Sequence, residues 1–291
     1  ASAYERCGAK IVFAEIEPST LMLDIRDVKK KLTERTRAVV TVHYGGLPSD
    51  LSGLIGLCKE HDIDLIEDAA QGFGTVSMGG HLGTFGRFGT ISFHETKNIH
   101  CGLGGAIYIN NPEEFDRIEN IWERETNRTK LFRGLVDKYT WLESGSSFYP
   151  SELQSAFLLA QLESLNSNLK IRQKLTEQYF LHLADLEIEG KLTIQKGMPT
   201  DQWNHHAVVC IFPSENICEK VRVYLKNKQI NAYIGYVPLH SSPKGAEMGW
   251  KKEDLPVTEE ISQRILRLPL HCEMDSGDIE RVCLELRSVL E

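Results

Sequence analysis

The stretch from residue 90 to residue 105, TISFHETKNIHCGLGG, joins a short apolar strand to a polar segment and a glycine-rich turn. Thr90 to Phe93 is predicted to be the strand, and Lys97 follows it. A lone lysine after a strand is normally a solvated surface residue. Four neighbours of this lysine offer hydrogen bonds: Ser92, His94, Thr96 and Asn98. The glycines that follow permit close backbone approach to a ligand: Gly102, Gly104 and Gly105. A buried amine near positive charge loses its proton more readily, which suits covalent attachment to an aldehyde.

A second stretch, residues 63–72 (IDLIEDAAQG), places two acids after an apolar strand. Glu67 and Asp68 follow the predicted strand Asp64 to Ile66, at its carboxyl end. In parallel α/β sheets this end is where ligands bind. The alternative is that the two acids cap the next helix or face solvent, and the fragment by itself leaves both readings open.

Strands and helices alternate through the first half of the chain, which predicts an α/β fold with a mainly parallel sheet in three layers. The predicted strands are Ile11 to Ile16, Ala38 to His43, Asp64 to Ile66, Thr90 to Phe93 and Ala106 to Ile109. The predicted helices are Asp24 to Leu32 and Leu51 to His61, the second capped by Ser49 or Asp50.

The second half predicts a long connecting helix and then a small α+β domain. The pattern indicates helices over Pro112 to Glu125, Ser151 to Ala184, Asn216 to Lys226 and Ser276 to Leu290, and strands over Ala207 to Phe212 and Ile230 to Tyr233. A helix as long as the second of these often joins two domains. We therefore predict a large domain over residues 1–165 and a small one over 166–291.

Composition excludes several classes of protein. The 291 residues carry a formal net charge of −8, which argues against a nucleic-acid surface. No apolar run approaches the roughly 18 residues of a membrane span. The seven cysteines are scattered, which predicts reduced thiols in a cytoplasmic protein without a metal site.

The two quoted stretches together suit one cofactor, pyridoxal 5′-phosphate (PLP). Its aldehyde needs an amine, its ring nitrogen needs an acid that keeps it protonated, and its phosphate needs hydroxyls and backbone amides. Lys97, Asp68 and Ser92 would supply these groups.

The runs EDAAQG, GTFG, SFHETKN and the GxGG turn resemble the DegT/DnrJ/StrS nucleotide-sugar aminotransferases, which have the fold type I PLP architecture of aspartate aminotransferase. Residues 132–147 (FRGLVDKYTWLESGSS), 236–240 (YVPLH) and 267–270 (RLPL) resemble the dTDP-4-amino-4,6-dideoxygalactose transaminases within that family. The resemblance implies transfer of an amino group from glutamate to a nucleotide-linked 4-keto-6-deoxyhexose, a role in polysaccharide or lipopolysaccharide biosynthesis, and a homodimer with shared active sites.

The resemblance also implies residue roles. Lys97 would hold PLP and move protons, Asp68 would pair with the ring nitrogen, Gln71 would lie near the ring hydroxyl, and Ser92 would bind the phosphate. Ser147 stands where the family's GxNxRxSE motif has the asparagine that reaches the phosphate of the neighbouring subunit. Leu103 replaces the glutamate that is usual in the family's GEGG turn.

Further candidates for substrate contact are His94, Arg128, Lys138, Tyr236 and His240. Arg128 and Lys138 are candidates for the nucleotide phosphates, and their alternative is a solvated charged loop. His94 and His240 have packed histidines as their alternative. His206 begins a predicted strand and is interpreted as a core residue.

The resemblance places Ala1 inside the helix that follows the family's first sheet strand, so the family's Gly-Thr-Ser-like phosphate loop and stacking aromatic residue would lie upstream of this chain. One alternative is therefore a non-catalytic remnant or scaffold without that loop. Another is a fold type I lyase or desulfurase, which would also use a lysine but is disfavoured by residues 132–147. The family's sugar dehydratases have histidine in place of Lys97, and we set them aside.

Overall fold

The computed structural model describes residues 1–197 and 202–291. Its strands are β1 Ala38–Val42, β2 Asp64–Asp68, β3 Val76–Ser77, β4 Gly80–His81, β5 Phe88–Ser92, β6 Gly105–Ile109, β7 Thr193–Ile194, β8 Val208–Ile211, β9 Tyr233–Ile234 and β10 Ile265–Leu268. Its α-helices are α1 Ser2–Arg6, α2 Ile25–Lys31, α3 Leu51–Glu60, α4 Phe115–Trp122, α5 Arg128–Phe132, α6 Glu152–Glu163, α7 Leu165–Ile188, α8 Glu215–Asn227, α9 Pro243–Glu247, α10 Pro256–Ser262 and α11 Ser276–Leu290.

The first sheet has the strand order β1-β2-β5-β6, in which the first three strands are parallel and β6 is an antiparallel edge. This confirms the predicted mainly parallel α/β sheet. The helix α3 begins after Asp50, whose side chain accepts a hydrogen bond from the Gly53 N–H, so Asp50 is the cap that the sequence left undecided. Leu54 and Leu57 of α3 pack with Val39 and Leu65 beneath the sheet.

The second sheet is antiparallel, in the order β7-β8-β10-β9. The helices α7, α8 and α11 pack together beside it around a core that includes Tyr179 and Phe212, both fully buried. The predicted small α+β part is confirmed. A further core cluster joins Ile16 and Tyr44 to residues of β8 and β10, so apolar contacts connect the segment before α2 and the turn after β1 to the second sheet. The domain boundary at residue 165 remains a prediction.

The predicted strand Ile11 to Ile16 is wrong, because among the described residues its only pairing is an isolated bridge between Ile16 and Leu23. The segment is held instead by a side chain. The carboxylate of Glu15 accepts hydrogen bonds from the backbone N–H groups of Val257 and Thr258, at 3.0 and 2.8 Å. It thereby satisfies the free N–H groups at the start of α10.

Two predicted helices have the wrong extent. The predicted helix Pro112 to Glu125 begins as a 3₁₀ turn over Pro112–Glu114 and ends at Trp122, because Arg124 and Glu125 have positive φ angles of 61° and 57°. The predicted single helix Ser151 to Ala184 is two helices, α6 and α7, which meet at Ser164. The Ser164 hydroxyl donates back to the carbonyl of Ala160, a local bond that competes with helix propagation.

Within residues 1–197 and 202–291, no helix combines the length and the apolar character needed to cross a bilayer.

Candidate active site

The carboxyl ends of β2 and β5 place two of the predicted residues on one face of the first sheet. Asp68 is in register with Thr90, and Ser92 lies two residues further along β5. Because side chains alternate along a strand, Asp68, Thr90 and Ser92 project from the same face. Asp68 and Ser92 are half-buried there, so this face can take a ligand.

Glu67 projects from the opposite face and is fully buried. Its carboxylate accepts hydrogen bonds from His43 Nε2 (2.9 Å) and from the N–H groups of Gly83, Phe85 and Gly86 (2.7–2.8 Å). Burial alone would raise the pKa of Glu67, but the bonds from His43 and the backbone lower it. Glu67 is therefore an internal anchor for the loop that precedes β5, and of the two acids only Asp68 faces the site.

Asp68 keeps most of its hydrogen-bonding capacity. Its Oδ1 accepts from the Ala70 N–H at 3.1 Å, and its carboxylate makes no other hydrogen bond or ion pair with the residues that the structure describes. Tyr4 lies close enough that burial, followed by the negative charge of Asp68, raises the pKa of its phenol. One carboxylate oxygen thus remains available to a cationic group.

Lys97 is half-buried in the turn that follows β5. Its N–H donates to the carbonyl of His94 at 2.9 Å, which closes the turn. Over residues 1–197 and 202–291, its amine forms neither a hydrogen bond nor an ion pair. The ring of His94 faces Thr96, with Nδ1 3.0 Å from its hydroxyl, and the His94 N–H donates to Ser92 Oγ at 3.3 Å. Substrate contact by His94 remains a prediction.

Gln71 connects this edge of the sheet to Tyr236. Its Oε1 accepts from the Gly45 N–H at 2.7 Å, and its Nε2 donates to the Tyr236 hydroxyl at 3.4 Å. Gln71 and Tyr236 are 165 residues apart in the chain, so the fold brings together residues that were predicted separately.

Asn204, which the sequence did not single out, ties several of these segments together. Its Nδ2 donates to the carbonyls of Gln71 and Phe73 (2.7 and 2.9 Å), and its own carbonyl accepts from Asn98 Nδ2 at 2.9 Å. A Cβ at Gly46 would overlap the Asn204 side chain, so glycine is required there. Asn204 therefore fixes the loop of Gln71 against the residue that follows Lys97.

His206 completes this network. The amide of Asn98 donates through Nδ2, so its Oδ1 can only accept, and His206 Nδ1 lies 3.1 Å from it. The proton of a neutral His206 is therefore on Nδ1. Burial, followed by the positive charges of Arg172, Lys97 and Arg267, lowers the pKa of His206 to about 3. His206, which the sequence analysis interpreted as a core residue, therefore lies near Lys97 and is neutral.

Four predicted residues lie outside this network. Arg128 forms an ion pair with the buried Glu123 (3.1 Å) and covers the Phe132 ring, whereas Lys138 is exposed. Ser147 is exposed, and its hydroxyl accepts from Arg124 at 3.4 Å. His240 is buried, with Nε2 3.4 Å from Glu259 Oε1. In the described part of the chain none of the four forms a hydrogen bond or ion pair with Lys97, Asp68, Gln71 or Ser92. Their roles remain predictions.

Comparison with known proteins gives a consistent result. Residues 1–287 match the sequence profile of the DegT/DnrJ/EryC1/StrS aminotransferase family. The uncharacterized protein MJ1066 of Methanocaldococcus jannaschii is 26% identical over 97% of this chain and 74% of its own length. Among solved structures, DesV of S. venezuelae is 28% identical with a TM-score of 0.85, covering 96% of this chain and 72% of DesV. The aminotransferase TlmJ of Streptoalloteichus hindustanus is 26% identical with a TM-score of 0.89, covering 100% of this chain and 75% of TlmJ.

Proposed function

The chain belongs to the DegT/DnrJ/EryC1/StrS aminotransferase family, and on this premise we propose that it transfers an amino group from glutamate to a nucleotide-linked 4-keto-6-deoxyhexose. The aminotransferases of this family are PLP-dependent transferases that act on sugars.

The observation that carries the proposal is that an amine and a carboxylate oxygen, neither of them bonded to another described residue, follow the carboxyl ends of two neighbouring parallel strands. Lys97 has an amine without a partner and Asp68 has an uncommitted oxygen, both within the described residues. Ser92 adds a hydroxyl on the same face as Asp68. This donor set fits PLP: Lys97 would bind the aldehyde, Asp68 would hold the proton of the ring nitrogen, and Ser92 would bind the phosphate.

When bound, PLP supplies an electron sink that lets the α-carbon of an amino acid lose its proton. We assign the proton transfers to the Nζ atom of Lys97. It would remove the proton from the α-carbon of the donor, and later deliver one to the sugar carbon that receives nitrogen. Gln71, held by Gly45 and Tyr236, would fix the rim of the pocket on the side of the ring hydroxyl.

The remaining assignments follow the family resemblance. Ser147 would reach the phosphate of a neighbouring subunit in a homodimer, and Arg128, Lys138, Tyr236, His94 and His240 would contact substrate. The free cysteines suit a cytoplasmic enzyme of polysaccharide or lipopolysaccharide biosynthesis. The alternative of a non-catalytic remnant is not favoured, because the match extends over residues 1–287 and Lys97, Asp68, Gln71 and Ser92 are all present.

Absorbance spectroscopy tests the proposal. Protein mixed with PLP should show a visible band from the lysine-bound cofactor, and borohydride should fix the cofactor to Lys97, as located by mass spectrometry. Lys97→Ala should abolish both signals. Lys59→Ala, an exposed lysine at the end of α3, should retain them. Absence of the band from the wild-type chain would overturn the catalytic reading.

A single-turnover assay tests the substrates. Glutamate should convert the cofactor to its amine form, and a dTDP-linked 4-keto-6-deoxyhexose should return it to the aldehyde. If glutamate has no effect while another amino acid does, the proposed donor is wrong although the class of reaction stands.

A further inference from the structure

Arg267 is a charged residue in the middle of β10, between the buried Leu266 and Leu268. Its guanidinium packs over the ring of Tyr236 at 5.2 Å, and Nη2 donates to the carbonyl of Ile234 at 3.3 Å. Its Nε is buried and has no hydrogen-bond partner. In the described residues no acid pairs with it. Arg267 therefore presents an uncompensated positive charge beside Tyr236.

The hydroxyl of Tyr44 is a second unpartnered buried group in the same place. Its ring packs edge-on against Tyr236, with 6.1 Å between the ring centroids. Burial raises the pKa of Tyr44 to about 12, although the nearby charge of Arg267 opposes the rise. The hydroxyl is thus protonated at neutral pH and can donate. The Nε of Arg267 and the hydroxyl of Tyr44 are thus two donors without acceptors, and both residues pack against Tyr236.

This cluster adjoins the proposed cofactor site. Tyr236 accepts a hydrogen bond from Gln71 at 3.4 Å, and the Tyr44 backbone precedes Gly45, which donates to Gln71. The positive charges of both Lys97 and Arg267 act on His206, which is neutral. Arg267 and Lys97 are therefore both near enough to His206 for their charges to lower its pKa.

Leaving such donors buried without acceptors costs free energy, and an anion would remove that cost. The planar guanidinium of arginine matches a carboxylate better than a point charge does. An amino-acid donor must bring a carboxylate to within a few bonds of the carbon that reacts at Lys97. The keto sugar brings none near its reacting carbon, and its diphosphate lies at the far side of the hexose ring.

We propose that Arg267 and Tyr44 together bind a carboxylate of the amino-acid donor. This inference rests on the proposed aminotransferase function and adds the residues that recognise the donor. Arg267 would supply the positive charge and Tyr44 would supply a hydroxyl donor. Tyr236 would position both, because each packs against its ring.

The test uses glutarate, a dicarboxylate that has no amino group and so cannot react. Its affinity for the PLP-loaded protein would be measured by calorimetry and by the shift of the cofactor absorbance. Arg267→Gln should weaken glutarate binding by about tenfold or more, because a charged hydrogen bond is lost. The glutarate affinity of Arg267→Lys should lie between those of the wild type and Arg267→Gln. Arg264→Gln is the matched control, because Arg264 is already paired with Glu260 and should leave the affinity unchanged.

Tyr44→Phe separates binding from folding. It should weaken glutarate binding severalfold, yet leave the melting temperature unchanged or higher, because the lost hydroxyl has no partner in the free protein. A merely structural hydroxyl would lower the melting temperature and spare the binding.

Two outcomes would overturn the inference while leaving the proposed function intact. One is an Arg267→Gln protein that shows the lysine-bound PLP band and keeps wild-type affinity for glutarate. The other is a variant that loses affinity for dTDP but not for glutarate, which would assign Arg267 to the nucleotide phosphates. Absence of the PLP band from the wild-type protein would instead overturn the proposed function.

Discussion

At the end of β2, neighbouring acids project to opposite sides of the sheet. Glu67 lies in the core, where four donors surround its carboxylate, and Asp68 lies on the half-buried face beside Ser92. The sequence places both acids at the end of this strand and assigns Asp68 to the cofactor, but it leaves Glu67 without a role. The hydrogen-bond partners of Glu67 lie between 16 and 24 residues away in the chain. Local sequence patterns therefore could not predict them, because they depend on how the loop before β5 folds.

We expect Glu67→Gln to lower the free energy of unfolding at pH 7 by about 2–3 kcal/mol, because an amide cannot accept from all four donors. The pKa of Glu67 is lowered in the folded chain. Its ionised form therefore stabilises the fold above the ordinary carboxyl pKa of about 4.3, and this contribution is lost as the pH falls through the lowered value.

Urea denaturation from pH 7 down to pH 3.5 measures this difference. The gap between wild type and Glu67→Gln should narrow below about pH 4.3. Glu219 is an exposed acid paired with Arg222, and Glu219→Gln should lower the free energy of unfolding by about 0.5 kcal/mol or less. A gap that stayed constant over the whole range would show that the charge of Glu67 is unimportant.

Local sequence patterns predicted most elements of the fold but not their long-range bonds. The strands β1, β2 and β5 and the helices α3, α8 and α11 lie close to their predicted positions, because apolar periodicity and caps are local signals. The bonds of Asn204 to Asn98 and to Gln71 span 106 and 133 residues, and no local pattern encodes them. The sequence did not predict the boundary between α6 and α7 at Ser164, because the apolar pattern continues through it.

The segment that carries Asn204 should control the affinity for PLP. Asn204→Ala removes the donors to Gln71 and Phe73, so we expect a loss of about 2–3 kcal/mol in unfolding free energy and weaker binding of PLP. Asn204→Asp keeps the acceptor for the His206 N–H and should retain only part of the affinity.

Fluorescence titration with PLP, alongside melting temperatures, checks this expectation. The matched control is Trp203→Phe, which removes one hydrogen bond to the carbonyl of Gly45 and should leave the PLP affinity nearly unchanged. Equal losses of PLP affinity in Trp203→Phe and Asn204→Ala would indicate general loosening of the junction rather than a specific role for Asn204.

On the scale of the whole molecule, large apolar side chains are exposed around α5 and α6. Those at least 57% exposed in this region are Leu103, Phe132, Leu135, Tyr139, Trp141, Phe148, Leu153 and Leu159. Exposed apolar side chains in such numbers are typical of an interface, and the predicted homodimer would bury them. Sequence reasoning reached the dimer only through the family resemblance, because the periodicity of a helix does not show which apolar residues a partner covers.

Charge placed on this surface should dissociate the dimer. We expect Leu153→Glu, at a side chain that is 84% exposed, to raise the dimer dissociation constant by at least about tenfold. Sedimentation velocity over a range of concentrations measures the change. Ile188→Glu is the matched control, because Ile188 is 86% exposed at the far end of α7. A wild-type chain that sediments as a monomer throughout would exclude the dimer.

The hydrogen bond between Asn98 and the carbonyl of Asn204 has a mechanical consequence. Asn98 belongs to the turn of Lys97, and Asn204 belongs to the segment that enters the second sheet. Any hinge motion of that sheet must therefore either pull on the turn of the lysine or break this bond. A displacement of the second sheet relative to the first would then be coupled to the position of the Lys97 turn, so that a ligand contacting both sheets would also influence where the amine lies.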